Sequence, residues 1–541
     1  MIDSVREFWH SIGRRKRYWI PVLFFTISSY GYSVFNRTIG IDDLASEIYT
    51  GSGNVMIAAG RWGMTLWRII DAIPILSPAA DRLLAATFLL AAAILLAAMF
   101  HHLRPNHQGE PYVCKYTALS CCLITYPILG EIWEYSGANY ISTAGMLISI
   151  LACTYMLTRE TLRARDILLA GVILTLPMSS YESGILFYIT LVCSVLFYKY
   201  CLWGNPRKKG LYWKNAVMFA LPLVTALILR LVIGKGLRLA LGVAKGHNGN
   251  TGIKWGLDPA TDVFRKLIMD TFLNYIVNAL VYLPLTVFFF AALFLICYSG
   301  CEAIRKRNVM IITGGLILVL SAFSISFVQG SFMPYRTAIS LSALTAFALF
   351  CLMELWEDKG RRKQTLVSMA MFYLMWAQSA FLNSELALNN LRSDNEMRIM
   401  SSVAQKILSV NADKPVIFVG EYQMSDLFRQ AKKSYSGSFA GNLYEKVIKA
   451  VQNQYGDYYY TFCHLTEFPD SNINSGINYS IAVNGIMEKY LSYLGYDIHV
   501  IDRSSDPEAV REANEIAHNT GMKSFEVLET EDYMIAAIQM P

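Results

Sequence analysis

The sequence predicts an α-helical polytopic membrane protein with about eleven transmembrane helices, followed by a small C-terminal α/β domain. Three observations carry this. Apolar residues make up 54% of the 541-residue chain and charged residues only 16%, against about 45–50% and about 25% in an ordinary soluble domain. Apolar segments recur before residue 383 at lengths near the roughly 20 residues that cross a hydrocarbon core. Beyond that point the charge reverses. Residues 1–382 carry 20 acidic and 34 basic side chains, whereas residues 383–541 carry 21 acidic and 13 basic. The scarcity of charge excludes a plain cytosolic enzyme, a disordered scaffold and a nucleic-acid binder. The chain divides into a membrane body, 1–382, and a soluble domain, 383–541.

The segments fall at 19–35, 83–100, 115–130, 138–157, 167–178, 184–201, 213–233, 274–298, 309–328, 337–355 and 364–382. The fifth is short for a span. The first follows Arg14-Arg15-Lys16-Arg17 and reads as an uncleaved span, since no small-x-small cleavage pattern follows it. Basic clusters mark alternate loops: Arg159, Arg163 and Arg165; Arg207, Lys208 and Lys209; Arg305, Lys306 and Arg307; Lys359, Arg361, Arg362 and Lys363. The intervening short loops hold one basic residue, Arg336. The positive-inside rule places the N-terminus in the cytoplasm. An odd number of crossings then places the tail domain outside.

Two outer loops are long. In 36–82, Ile57, Ala58, Trp62, Leu66, Ile69 and Ile70 recur at helical spacing, and Trp62 and Trp67 suit a helix lying in the interface. The other, 234–272, is Gly-rich and basic and has no phosphate-binding GxxxxGK[ST] pattern. In the tail, VIFVG reads as a buried strand, 441–453 as a helix, IAVNGIMEKYLSYLGY as a helix ended by Gly495, DIHVI as a strand, and 533–539 as the last strand. Asp506, Pro507 and Gly521 bracket a further helix as N-cap, first-turn proline and C-terminal glycine. Nine of the ten cysteines lie between Cys114 and Cys351, and only Cys463 lies in the tail, so no disulfide forms within it. No Cys/His spacing suits a structural metal.

The candidate site residues gather on the outer loops. Asp42 and Asp43 stand a few residues beyond the first span, where one carboxylate can act as general base on a sugar hydroxyl and the other orient it. The plainer alternative is that one of them caps a helix. Arg61 can clamp a phosphate bidentately and Trp62 can stack on a sugar or a prenyl chain, or the two anchor a helix at the interface. Tyr181-Glu182 ends the short fifth segment, so Glu182 sits either at membrane depth, where an ionisable group signals function, or on an exposed turn. Tyr335 and Arg336 stand at the outer mouth of the tenth span, where Arg336 either meets a phosphate or snorkels. Glu131 and Glu134 flank Trp133, an arrangement that suits a carbohydrate surface. Arg230 reads as a snorkelling residue.

A basic N-terminus, one span, an Asp pair and then Gly60-Arg61-Trp62 resemble the bacterial serotype-converting glucosyltransferases of the Gtr type II family. Tyr181-Glu182-Ser183 is similar to that family's Tyr-Gln-Ser element, with Glu in place of Gln. Pro334-Tyr335-Arg336 and the run from Asn383 to Arg398 also look similar. The resemblance implies a GT-C-like fold and transfer of a sugar from undecaprenyl phosphate to a growing polysaccharide on the outer face. The residues agree on one point. No cytoplasmic loop exceeds about 15 residues, which leaves no room for a nucleotide-sugar domain, and a lipid-phosphate donor fits outer arginines near the interface.

The resulting assignment is a membrane hexosyltransferase, with glucose as the family's sugar. Asp42, Asp43 and Glu182 are the candidate catalytic acids. Arg61, Arg336 and Tyr335 are candidates for the donor phosphate, and Trp62, Trp133, Glu134 and Tyr181 for the acceptor or sugar. No tightly bound cofactor and no resident metal are expected. A divalent ion stays open, since outer acids serve as bases and as ligands alike. The expected partners are the polyprenyl-phosphate sugar, a polysaccharide acceptor, membrane lipids, a flippase and a donor-making synthase, and no nucleic acid. Rival readings are a flippase of lipid-linked sugar and a polysaccharide polymerase or ligase.

Overall fold

The computed structural model describes residues 2–36, 54–71, 78–103, 112–133, 138–159, 161–203, 209–244, 254–280, 282–331, 335–357, 359–420, 422, 446, 481, 485–503 and 505–538. A helix stands at each of the eleven predicted segments. These are α1 (Lys16–Phe35), α3 (Pro78–His102), α4 (Val113–Thr125), α5 (Asn139–Leu157), α6 (Ala164–Ser180), α7 (Ser183–Leu196), α8 (Lys209–Leu241), α9 (Leu283–Arg305), α10 (Val309–Ser321), α11 (Ser340–Leu355) and α12 (Arg361–Val410). One helix of the first long loop, α2 (Trp62–Asp71), lies among them. Among the described residues seven helices are long and apolar enough to cross a membrane, and α10 and α11 are shorter apolar helices. The short fifth segment becomes the 17-residue α6.

The bundle is stitched by small residues and by hydroxyls aimed across interfaces, as expected where lipid removes the hydrophobic drive between helices. Tyr18 bonds the Ser120 hydroxyl at 2.9 Å and Tyr30 donates to the Ile124 carbonyl at 2.7 Å, joining α1 to α4. Ser28 and Ser29 meet Ser379 on α12 at 2.8 and 2.9 Å, and Thr125 donates to Gln378 at 2.9 Å. Gly171 lets α6 approach Thr225 of α8, and Gly315 lets α10 approach Ser299 of α9. Arg82, buried at the start of α3, donates to the carbonyls of Ser33 and Asn36 at 3.0 and 2.7 Å and so closes the C-terminal end of α1.

Three local readings change. The amphipathic stretch of the first long loop is not one helix. It breaks at Gly60, and Asn54–Ala58 and α2 lie on either side. The eighth span begins at Leu283, where Pro284 occupies the first helical turn, rather than at 274, because 272–280 winds into separate turns. In the tail, DIHVI forms a single bridge at Val500 to Val416, not a strand.

The tail sheet has the order β1 (Val416–Val419), β3 (Met534–Ala537), β2 (Val527–Glu529). β1 runs parallel to β3, and β2 pairs with it antiparallel. Two helices flank it: α13 (Ile486–Tyr493), with Gly495 at φ +89 just beyond, and α14 (Pro507–Asn519). Asp506 caps α14 by accepting from the Ala509 amide at 3.0 Å. The predicted helix at 441–453 lies outside the described residues apart from Lys446. α12 runs unbroken for 50 residues, about 75 Å at 1.5 Å per residue. Its last turns place Met400, Val403, Ala404 and Ile407 in the core of the tail domain, with Phe418, Leu491 and Met534.

Candidate active site

The Gly-Arg-Trp element is built by helix-termination chemistry. Gly60 takes φ +77, and Arg61 and Gly60 amides donate to the carbonyls of Met56 and Ile57 at 2.8 and 3.1 Å. These two bonds form the Schellman arrangement, in which the left-handed residue is almost always glycine. Arg61 therefore occupies the corner between two helices. Trp62 opens α2 and donates its indole N–H to the Arg230 carbonyl on α8 at 3.2 Å, with Gly234 against its ring. Gly63 sits against Ser179 and Ser180 at the end of α6, where any Cβ would collide with both hydroxyls. Sequence reasoning missed Gly63, although its place directly after Gly-Arg-Trp was the available signal.

This docking aims Arg61 at the turn between α6 and α7. Its Nη2 and Nε donate to the two carboxylate oxygens of Glu182 at 3.0 and 3.4 Å. Arg230 reaches the same carboxylate at 3.4 Å, a role its reading as a snorkelling residue did not foresee. The Arg61 guanidinium lies over the Tyr181 ring, 5.2 Å from its centroid. Burial opposes the Glu182 charge, and the Arg61 and Arg230 guanidiniums outweigh it, holding the carboxyl below its usual range. Arg336 stands close enough to Arg61 to oppose its charge. The Glu182, Arg61 and Arg230 side chains keep 15%, 27% and 19% of their surface exposed, so the cluster stays open to an incoming group.

A second cluster lies at the same end of the bundle. Glu131 is fully buried in the short helix Gly130–Trp133, where the Tyr282 hydroxyl donates to it at 3.1 Å. Glu385, on α12 just past the apolar stretch, lies near Tyr282, and one of its carboxylate oxygens has no hydrogen-bond partner among the described residues. Tyr335 links the two clusters. Its ring lies 6.0 Å from Tyr282, its hydroxyl accepts from Asn278 at 3.0 Å, and the next residue is Arg336.

The structure thus brings Arg61, Trp62, Tyr181, Glu182 and Arg336 together. Two of the chosen residues have other surroundings. Tyr335 is wholly buried among Tyr275, Tyr282 and Asn278, so it fixes Arg336 and has no surface to offer a phosphate. Trp133 is also wholly buried, stacked on Tyr30 at 3.9 Å with its N–H given to Ser33 at 3.0 Å. The chain turns inward after Pro127, and neither face of that indole is open to a sugar. Asp42, Asp43, Glu134 and Pro334 lie outside the described residues. Among the described residues no group of three or more His, Cys, Asp and Glu side chains is placed to hold a metal ion.

No curated protein matches the chain in sequence. Among solved structures, an oligosaccharyltransferase from Archaeoglobus fulgidus, crystallised as a complex with zinc and sulfate, is similar at a TM-score of 0.36 and 13% identity. That similarity covers 74% of this chain and 59% of the other, so this chain spans under two thirds of that protein's length. A family model described as Glucosyl transferase GtrII matches residues 31–353. The matched region contains both clusters except Glu385, together with α2 to α10 and nearly all of α11, and since it takes in more than half of the chain, the protein belongs to the GtrII glucosyl transferase family.

Proposed function

We propose that this membrane glycosyltransferase moves a hexose, glucose by its family, from undecaprenyl phosphate to a cell-surface polysaccharide on the outer face of a bacterial cytoplasmic membrane. The observation that carries the proposal is the Arg61–Glu182–Arg230 cluster with Arg336 beside it. Two guanidiniums share one carboxylate there and a third stands close by. Such a cluster suits a phosphate at the membrane boundary, because guanidinium matches phosphate bidentately and strengthens as leaving-group charge develops. Topology supports the choice of face. The clusters and the tail domain lie at one end of the bundle, and the loops of Arg159–Arg165, Arg305–Arg307 and Lys359–Lys363 lie at the other.

The reaction is a single inverting displacement. An acceptor hydroxyl attacks the anomeric carbon, and the bond from that carbon to the phosphate oxygen breaks. Asp42 or Asp43 takes the hydroxyl proton, and the polyprenyl phosphate leaves with its charge held by Arg61, Arg230 and Arg336. Glu182 acts by fixing Arg61 and Arg230, since a carboxylate held below its usual range is a poor base. Glu131 and Glu385 are next in line for the base. Trp62 and Tyr181 wall the sugar subsite, and the tail guides the polymer. A synthase that makes the lipid donor and a flippase that presents it outside are the partners this scheme needs.

The test is transfer by purified protein supplied with labelled undecaprenyl-phosphate glucose and polysaccharide acceptor. Asp42→Asn or Asp43→Asn should lower the rate by about 10²–10⁴ while the protein still folds, the usual loss of a general base. Near-full activity in both variants moves the base to Glu131 or Glu385. Movement of label across a bilayer without transfer to acceptor overturns the proposal in favour of a flippase.

A further inference from the structure

At the end of the bundle away from the active site, a groove of about 1260 Å³ opens between α1, α4 and α12. Arg15, Arg17 and Arg361 lie along one part of it, and Phe372, Tyr373 and Trp376 along another. The three aromatic side chains are 48%, 73% and 48% exposed. Phe24 of α1 stacks on Phe372 and Trp376 at 6.3 and 6.0 Å and braces that wall. The acid in the lining, Glu357, shares Lys115 with Glu354 at 2.6 and 3.1 Å, so that cluster keeps one net negative charge against the three arginines of the lining. Along α12, Trp376 lies about 22 Å from Arg361 at 1.5 Å per residue. A cationic head region over an aromatic wall of that depth has the layout of one lipid in one leaflet.

We propose that this groove binds one anionic phospholipid of the bilayer, its phosphate between Arg15, Arg17 and Arg361 and an acyl chain along Phe372, Tyr373 and Trp376. Charge complementarity selects the head group: juxtamembrane arginines attract anionic lipid, each by about fivefold. Position selects a bilayer phospholipid over the glycosyl donor. Ser368 in the groove bonds Tyr112 at the basic-loop end, whereas Asn390, about 33 Å further along α12, bonds Tyr32 at the active-site end. The lipid would hold the near end of the helix whose far end carries the tail domain.

The full chain, reconstituted in phosphatidylcholine vesicles, tests this by tryptophan quenching as the mole fraction of dibrominated phosphatidylglycerol or of dibrominated phosphatidylcholine is raised. The signal is the difference between wild type and Trp376→Phe. Brominated phosphatidylglycerol should quench it at a several-fold lower mole fraction, and the double variant R17Q/R361Q should bring the two lipids close to parity. Millimolar inorganic phosphate should leave the quenching unchanged. Equal quenching in wild type, or an undiminished preference in R17Q/R361Q, overturns the proposal. So does displacement by undecaprenyl phosphate at a lower mole fraction than unbrominated phosphatidylglycerol, which would make the groove a donor site, and so does relief by phosphate, which would make it an anion site without lipid.

Discussion

The two ends of the bundle hold buried ion clusters of opposite plan. At one end a single cation, Lys115, lies between two carboxylates, Glu354 at 3.1 Å and Glu357 at 2.6 Å, and Tyr198 adds a hydrogen bond to Glu354 at 2.7 Å. At the other a single carboxylate, Glu182, lies between two guanidiniums. The Lys115 side chain is 1% exposed, whereas Arg61 keeps 27% of its surface. The first arrangement is closed, and it ties α4 to the end of α11 and, through Tyr198, to the turn Phe197–Leu202 that follows α7. The second keeps donors turned to solvent on residues held rigidly by one shared acid. A buried ion cluster is weak evidence of stability or of function by itself; its accessibility and its sign separate a tie from a receptor for an anion.

The sharpest way to break this contrast is to remove each central residue. Lys115→Met removes the fully buried cation that the part-buried Glu354 and Glu357 share and should destabilise the protein by up to about 3–5 kcal/mol. Thermal unfolding in detergent measures this, and transfer per folded molecule should stay near wild type. Arg61→Ala should do the reverse. Its loss should lower kcat/KM for the lipid donor about 10- to 100-fold, the value of a charge-assisted bond to phosphate, with little change in acceptor use. If Lys115→Met cripples transfer in folded protein, or Arg61→Ala leaves donor use intact, the two ends are not divided in this way.

Acid sharpens the contrast further. Because the Glu182 carboxyl is held below its usual range in the fold, its ion pairs contribute stability that is fully present above the unfolded carboxylate value of about 4.3 and is lost as pH falls through the lower folded value. The stability gap between wild type and Glu182→Gln should therefore be constant from neutral pH down to about pH 5 and close only in stronger acid. A gap that closes near neutrality would mean that Glu182 is not held as an anion.

The smallest effect belongs to the corner glycine. Gly60→Ala must hold a side chain at φ +77 and should cost about 1 kcal/mol, with donor use falling as Arg61 loses its aim. Gly236→Ala, a helical position with open space around it, should be neutral or slightly stabilising. Equal behaviour of the two variants would remove the termination motif from the account of how Arg61 is placed.

What could be read from the sequence follows the range of the forces involved. The spans were legible because hydropathy is summed along a contiguous segment, and α14 was legible because Asp506, Pro507 and Gly521 act within a few residues of the helix they bracket. Arg61 and Glu182 were legible as separate candidates, but their pairing joins residues 121 apart in the chain, and no periodicity records that. Arg230 looked like an ordinary snorkelling residue because nothing local distinguishes a guanidinium facing lipid from one facing a carboxylate. Trp133 and Tyr335 misled for a related reason. An aromatic beside a charged residue suits a sugar surface, as for Trp133, or a phosphate site, as for Tyr335, equally well as a packed core, and only tertiary burial decides. β2 escaped notice because its three residues owe their conformation to pairing with β3.

The unbroken helix from Arg361 to Val410 makes the C-terminal domain a lever on a rigid shaft. One residue inserted after Leu391 would turn everything beyond it by about 100° and lift it about 1.5 Å, swinging the domain to a different side of the bundle while leaving every span in place. Seven inserted residues would restore its heading to within about 20° and raise it by about 10 Å. The angular bearing and the height of the domain over the membrane are thereby separately adjustable by the number of residues in one helix. An evolving chain would have both settings within reach of short insertions.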